Sequence, residues 1–238
     1  APDSARLSKS LRRYIRARPG RISVAVLDFV TGTMYRYAPR ERFDAASTVK
    51  MQILGTALWH KERAHSWLTR DEQLEAKRMI EESDNDEATI VWDADGGAPA
   101  VQRFDDRVPM LDTTANAAWG LTQVTAEDEV RLLRRFVTPN SLLGARARAF
   151  ALDLMEHVTS SQRWGVSAGV PAGVTVALKN GWLQQPSTEW TVASMGWIHG
   201  AGRDYAIAVL TDRNETERAG IRTIQGVSRR VFASLKKR

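Results

Sequence analysis

Ser47 and Lys50 stand three residues apart in Phe43-Asp44-Ala45-Ala46-Ser47-Thr48-Val49-Lys50-Met51-Gln52-Ile53-Leu54, where an apolar helix begins. Residues i and i+3 share a helix face, so the hydroxyl and the amine can meet. A hydroxyl becomes a useful nucleophile when a neighbouring base takes its proton. A lysine is such a base when burial or nearby charge lowers its pKa. The free N–H groups of the first helical turn can hold the oxyanion that forms when Ser47 attacks a carbonyl. An S-x-x-K spacing arises about once by chance in a chain of this length, so the pair carries weight only in company. Two further clusters supply that company, Ser83-Asp84-Asn85 and Lys179-Asn180-Gly181. A rival serine, Ser167, lies in Gly165-Val166-Ser167-Ala168-Gly169 and matches G-x-S-x-G. That motif needs an apolar strand before it and a helix after it. Ser160-Ser161-Gln162-Arg163 and Pro171 provide neither.

The composition narrows the chemistry. The chain has 238 residues, 43% of them hydrophobic and 26% charged, enough for a full core in one domain or two interleaved lobes. It has no cysteine, which excludes disulfides, thiolate catalysis and cysteine-ligated metals. His60, His65, His157 and His199 form no H-x-x-x-H pair, so neither a metal site nor a cofactor is expected. The net charge of +6 would suit anionic partners, but the basic residues are spread along the chain and no stacking aromatics join them, so no nucleic-acid partner is expected. No apolar run reaches membrane-spanning length. The opening Ala1-Pro2-Asp3-Ser4 reads as a mature start from which a signal peptide has gone or as a trimmed chain, and on the first reading a secreted or extracytoplasmic protein is expected.

The elements that must position the three clusters follow from periodicity. Residues 4–18 read as one amphipathic helix with a basic outer face, ended by Pro19-Gly20. Ile22–Phe29 and Thr33–Tyr37 read as a hairpin around Thr31-Gly32. The Ser47 helix runs to about Arg63. A helix over Thr69–Glu82 starts with a Thr69/Glu72 capping box, and the Ser83 cluster follows it at once. Short helices cover Glu87–Trp92 and Pro99–Phe104, and Asp105–Gln123 reads as a loop. Thr125, with Asp128 three residues on, opens another helix, and Ser141–His157 gives one more. Strands follow at Val174–Trp182, Trp190–His199 and Asp204–Thr211, then a helix from Thr216 to Leu235. The expected fold is α+β, an antiparallel five-stranded sheet flanked by helices with an inserted all-helical lobe. As a single domain over 1–238, it divides into an α/β lobe (1–45 and 170–238) and a helical lobe (46–169).

In this order and in these settings, S-x-x-K, S-D-N and K-N-G resemble the motif set of the class A β-lactamases and penicillin-binding D,D-peptidases, S-x-x-K, S-D-N and K-T-G. The resemblance spans most of the chain. It implies a β-lactamase/transpeptidase-like fold and an acyl-enzyme on Ser47, with Lys50 as proton acceptor. Ser83 would bridge Lys50 and Lys179 and pass a proton to the leaving nitrogen. Asn85 would bind an amide of the substrate, and Lys179 would attract the substrate carboxylate. The backbone N–H groups of Ser47 and Trp182 would form the oxyanion hole, and Gly181 would let the substrate backbone come close. The implied partner is a small molecule or peptide, β-lactam-like or from the cell wall, bound by a monomer.

Two departures qualify the resemblance. Class A β-lactamases deacylate with a Glu on a loop after S-D-N, whereas no Glu occurs here between Glu87 and Glu127. Asp112 and Asn116 are the residues available to position a water, so weak deacylation of β-lactams is expected. Asn180 replaces the hydroxyl residue of K-T-G and can still donate a hydrogen bond, with Arg203 as a distant helper for a carboxylate. Trp164, Trp182, Trp190 and Trp197 surround the proposed cleft in sequence terms. They suit an acyl pocket, or core packing for at least two of them. The reading is a serine hydrolase acting on a β-lactam or related amide or ester. The alternatives are a D,D-peptidase-like or acyltransferase enzyme and a non-turnover penicillin-binding module.

Overall fold

A computed structural model describes residues 4–235; most of the Ala1-Pro2-Asp3-Ser4 opening lies outside them. Strand β1 (Ser4–Arg6) precedes helix α1 (Lys9–Arg16), so the single helix expected over 4–18 is corrected to a strand and a shorter helix. The break falls at Ser8, whose side chain caps α1 by accepting from the Leu11 N–H. Strands β2 (Arg21–Asp28) and β3 (Thr33–Tyr37) form the expected hairpin. Next come β4 (Phe43–Asp44), a 3₁₀ turn over Ala46–Val49, and α2 (Lys50–Arg63).

Helix α3 (Arg70–Lys77) begins at the expected Thr69/Glu72 capping box and runs into a π turn over Arg78–Glu82. Helices α4 (Asn85–Asp95) and α5 (Gly97–Arg107) follow. Helix α5 extends into the stretch read as loop, because Phe104 and Asp105 are buried against neighbouring helices. Short strand β5 (Gln123–Val124) pairs with β4. Helices α6 (Ala126–Val137) and α7 (Ala145–Glu156), strands β6 (Thr175–Gln184), β7 (Trp190–Gly200) and β8 (Arg203–Asn214), and helix α8 (Glu217–Ser234) complete the chain.

The sheet order is β1-β3-β2-β8-β7-β6. Five strands are antiparallel as expected, and β1 adds a sixth, parallel to β3 at one edge. Side chains alternate across a strand with period two, and here the two faces differ in size. Ala25, Ala177, Ala193, Ala206 and Ala208 look toward the core that holds α2 and α6. Val24, Val26, Leu178, Val192, Ile207 and Val209 look toward the core shared with α1 and α8. Small residues on the first face let the α2 end of the helical layer approach the sheet closely. On β6 that same alternation sends Lys179 and Gly181 toward α2, and Asn180 and Trp182 toward the opposite face.

Candidate active site

The candidate nucleophile sits on strained backbone. Ala46, immediately before it, has φ +48°, a left-handed conformation that costs an L-residue ~1–2 kcal/mol. Ser47 itself is half-buried in the 3₁₀ turn and lines a cleft of about 560 Å³. Sheet and turn touch at Gly181, where a Cβ would stand 2.7 Å from the Ser47 nitrogen and 2.9 Å from the Thr48 nitrogen. Only glycine fits that contact.

Ser83 reaches the same place from the other side. The π turn ends at Ser83 in the left-handed region (φ 60°, ψ 35°), and Asp84 then caps α4 by accepting from the Asp86 and Glu87 N–H groups. This abrupt change of direction aims both the Ser83 carbonyl and its hydroxyl at Lys50. The Lys50 ammonium donates to the Ser83 carbonyl oxygen at 2.6 Å, to Ser83 Oγ at 3.2 Å and to Asn85 Oδ1 at 2.7 Å. From β6, Lys179 Nζ donates to Ser83 Oγ at 2.8 Å and to its neighbour's Asn180 carbonyl at 3.0 Å. One hydroxyl oxygen thus receives two lysines drawn from distant segments, and its own proton is left to donate.

Both lysines are buried, and burial disfavours their charged forms. It pushes Lys50 down to about 7, outweighing the attraction of Asp84. Lys179 is held well below the ordinary lysine range by burial and then by repulsion from Lys50. The face of Trp119 covers Lys50, with Nζ 5.1 Å from the ring centroid, and the Trp119 indole N–H donates to Thr89 Oγ1 at 3.3 Å.

The structure brings Ser47, Lys50, Ser83, Asn85, Lys179, Gly181 and Trp182 together, with two differences from the sequence reading. Among the described residues the Ser47 hydroxyl has no hydrogen-bond partner, and Lys50 is bonded to Ser83 and Asn85 instead. The Asn180 side chain does not enter the cleft. It is fully buried, and its Nδ2 donates to the Gln162 carbonyl at 2.6 Å and the Trp164 carbonyl at 3.1 Å. The reason is the strand alternation that turns Lys179 and Gly181 the other way.

Other candidates lie elsewhere. Arg203 begins β8, stacks on Phe232 and pairs in register with Gly200, four residues beyond the Gly196 level of the sheet. Trp190 packs in the α8-side core, and Trp197 donates to Asp204. Trp164 packs on Trp182 with centroids 5.9 Å apart. Neither Asp112 nor Asn116 lines the cleft, and Asn116 Oδ1 is engaged by the Ala118 N–H of its own loop. Ser167 donates to the Arg163 carbonyl in an irregular segment, with no strand before it. Sequence reasoning missed Thr89, Trp92 and Asp93, which line the cleft together with Asn85. Their spacing along α4, at i+4, i+7 and i+8 from Asn85, was the available signal.

A model described as the beta-lactamase enzyme family matches residues 6–77 and 73–235. The chain belongs to that family. The Mycobacterium tuberculosis protein named "Putative lipoprotein LppW" is 26% identical over 219 residues, covering 89% of this chain and 69% of its own length. Among solved structures, PBP-A superposes with a TM-score of 0.84 at 20% identity, covering 98% of each chain. TLA-1 extended-spectrum β-lactamase gives 0.85 at 18% identity, covering 94% of this chain and 96% of its own. A class A β-lactamase of Bacteroides cellulosilyticus gives 0.82 at 20% identity, with 94% and 95% covered. At these identities the structural likeness establishes the β-lactamase-like α+β fold.

Proposed function

We propose that this member of the family is a serine hydrolase that forms an acyl-enzyme on Ser47, in a cleft between an α/β lobe (1–45 and 170–238) and a helical lobe (46–169). The observation that carries this reading is the Ser83 hydroxyl held between Lys50 and Lys179, with Ser47 on the same cleft. Lys50, unprotonated in a large fraction of molecules near neutrality, takes the Ser47 proton as Oγ adds to the carbonyl. The backbone N–H groups of Ser47 and Trp182 hold the oxyanion. Ser83 passes a proton to the leaving group and is resupplied through Lys50 or Lys179. Water then releases the acyl group. Asn85 both holds Lys50 and borders the substrate. A PBP-A mutant has been obtained as an acyl-enzyme with penicillin G, which supports testing the same adduct here.

A second reading, a penicillin-binding module or acyltransferase with little hydrolysis, is favoured by the cleft's carboxylates. Among the described lining residues the only one is the exposed Asp93, and the loop holding Asp112 and Asn116 points neither inward. Placement outside the cytoplasm is part of the proposal, in line with the lipoprotein name of the mycobacterial relative.

Intact-mass measurement after mixing with penicillin G or p-nitrophenyl acetate tests both readings. A transient adduct absent in Ser47→Ala supports hydrolysis, and a persistent one supports the second reading. Adduct formation that survives in Ser47→Ala removes Ser47 as the nucleophile.

A further inference from the structure

The cleft that carries Ser47 is walled by aromatic and aliphatic groups and is not lined by a cation. Trp92, Trp119, Leu121 and Leu183 border its volume of about 560 Å³, while the Trp182 ring packs on Trp164 on the other face of the sheet. Among the described residues that line it, the only formal charge is negative, on Asp93. The two lysines nearby are buried and do not line the cleft. Lys50 donates to three acceptors under the face of Trp119, and Lys179, buried and outside the lining, donates to Ser83 and to the Asn180 carbonyl. The Asn180 amide faces the interior, and Arg203 is stacked on Phe232. An anionic substrate would therefore give up its hydration and meet a carboxylate instead of a fixed positive group. A bulky apolar acyl group would instead cover Leu121, which is 40% exposed, and the tryptophan faces beside it.

We infer that the cleft selects an uncharged carboxylic ester with a bulky apolar acyl group, and that it does not recognise substrates by a carboxylate. This rests on the acyl-enzyme reading. The Ser47 Oγ–H adds to the ester carbonyl, the bond from that carbon to the alkoxy oxygen breaks, and the alcohol leaves with a proton delivered through Ser83. Water then attacks the acyl-Ser47 ester, returning the serine hydroxyl and releasing a carboxylic acid. Each methylene placed against the tryptophan wall is worth ~0.8 kcal/mol, or about fourfold in kcat/KM.

Two measurements on the wild-type protein test the inference. In the first, acylation of Ser47 by penicillin G is compared with acylation by its methyl ester, which differs only in the masked carboxylate. In the second, kcat/KM is followed along p-nitrophenyl esters from acetyl to octanoyl, with the hemisuccinate as a charged member of matched length. The expected results are a methyl ester at least as fast as the free acid, a rise of about fourfold per methylene, and a hemisuccinate slower than the neutral ester of its length by tenfold or more. Asp93→Asn should narrow that last ratio severalfold. A free acid or hemisuccinate that reacts faster than its neutral counterpart overturns the inference while leaving the acyl-enzyme intact, as does a flat chain-length series. No adduct on Ser47 with any probe overturns the acyl-enzyme reading, and the inference falls with it.

Discussion

Thr48, the residue after the candidate nucleophile, holds its hydroxyl 2.7 Å from Oε1 of the fully buried Glu129. The same hydroxyl lies 2.8 Å from the Ala45 carbonyl oxygen. One hydroxyl proton can serve only one of these acceptors. Both contacts are hydrogen bonds if Glu129 is protonated, so that it donates to Thr48 and Thr48 donates to Ala45. A neutral acid also fits the surroundings. Glu129 Oε2, both carboxyl oxygens of Asp105 and the Gln52 amide are buried without partners among the described residues, and Asp128 lies close by in sequence. Burial pushes Glu129 up to about 7 and Asp105 well above the ordinary carboxylate range.

The first prediction follows from the sign of that shift. Glu129 binds its proton more tightly in the folded chain, so its stabilising contribution is complete below the unfolded pKa near 4.5. It is lost as pH rises through the folded value of about 7. Denaturant unfolding of the wild type and Glu129→Gln across this window should show the wild type losing ~3 kcal/mol relative to the variant, with no further change above it. A difference that does not vary with pH would mean that Glu129 ionises normally in the folded protein.

Gly181→Ala tests the contact between the sheet and the Ser47 turn. The new methyl would lie 2.7 Å from the Ser47 nitrogen, 2.9 Å from the Thr48 nitrogen and 3.0 Å from the Ala45 oxygen. All three are backbone atoms that no rotamer change can move. Overpacking of this kind costs ~1–3 kcal/mol. On the proposed chemistry it also displaces the oxyanion-binding N–H groups, so acylation should fall by ~10²-fold or more. A variant with wild-type acylation kinetics would show that strand and turn can separate without consequence.

Lys50 acts as a base only when neutral. With its pKa lowered by burial to about 7, the acylation rate should rise with pH through a midpoint near that value. A limb near the ordinary lysine pKa of about 10.4 would contradict the role. Lys50→Arg, whose guanidinium keeps its proton throughout, should lack the limb and acylate more slowly by orders of magnitude.

Much of this architecture was legible in the chain because the signals were local. The Thr69/Glu72 capping box, the Thr125 cap, the alternating strands and the S-D-N cluster directly after a helix each depend on a few neighbouring residues. What escaped was set by tertiary contact. Nothing near Lys50 in sequence announces the αL turn at Ser83 that supplies two acceptors to its ammonium. Helix α5 continues past Phe104 because its last turn is buried by other helices. Trp119 reaches the cleft from an irregular loop that has no periodicity to read. The inward aim of Asn180 is a different case. Period-two alternation along β6, with Gly181 assigned to the Ser47 side, already requires that its neighbour face away.

Ser83 carries two properties that substitution can separate, its hydroxyl and its left-handed backbone. Ser83→Ala removes the oxygen shared by Lys50 and Lys179. Lys179 is then left buried with one acceptor, at a cost of ~1–3 kcal/mol. The alanine must still adopt φ 60°. Ser83→Gly removes the same oxygen but accepts that backbone without strain, so it should be as stable as the alanine variant or more so, by up to ~1 kcal/mol. Both should lose proton delivery to the leaving group, and with it most of the acylation rate on a poor leaving group. An activated p-nitrophenyl ester, which leaves without a proton, should be affected far less. Unfolding curves for the two variants, with their acylation rates on an alkyl ester and a p-nitrophenyl ester, separate the two properties. Equal losses on both esters would place the Ser83 hydroxyl outside the proton path and leave it only the task of holding the lysines.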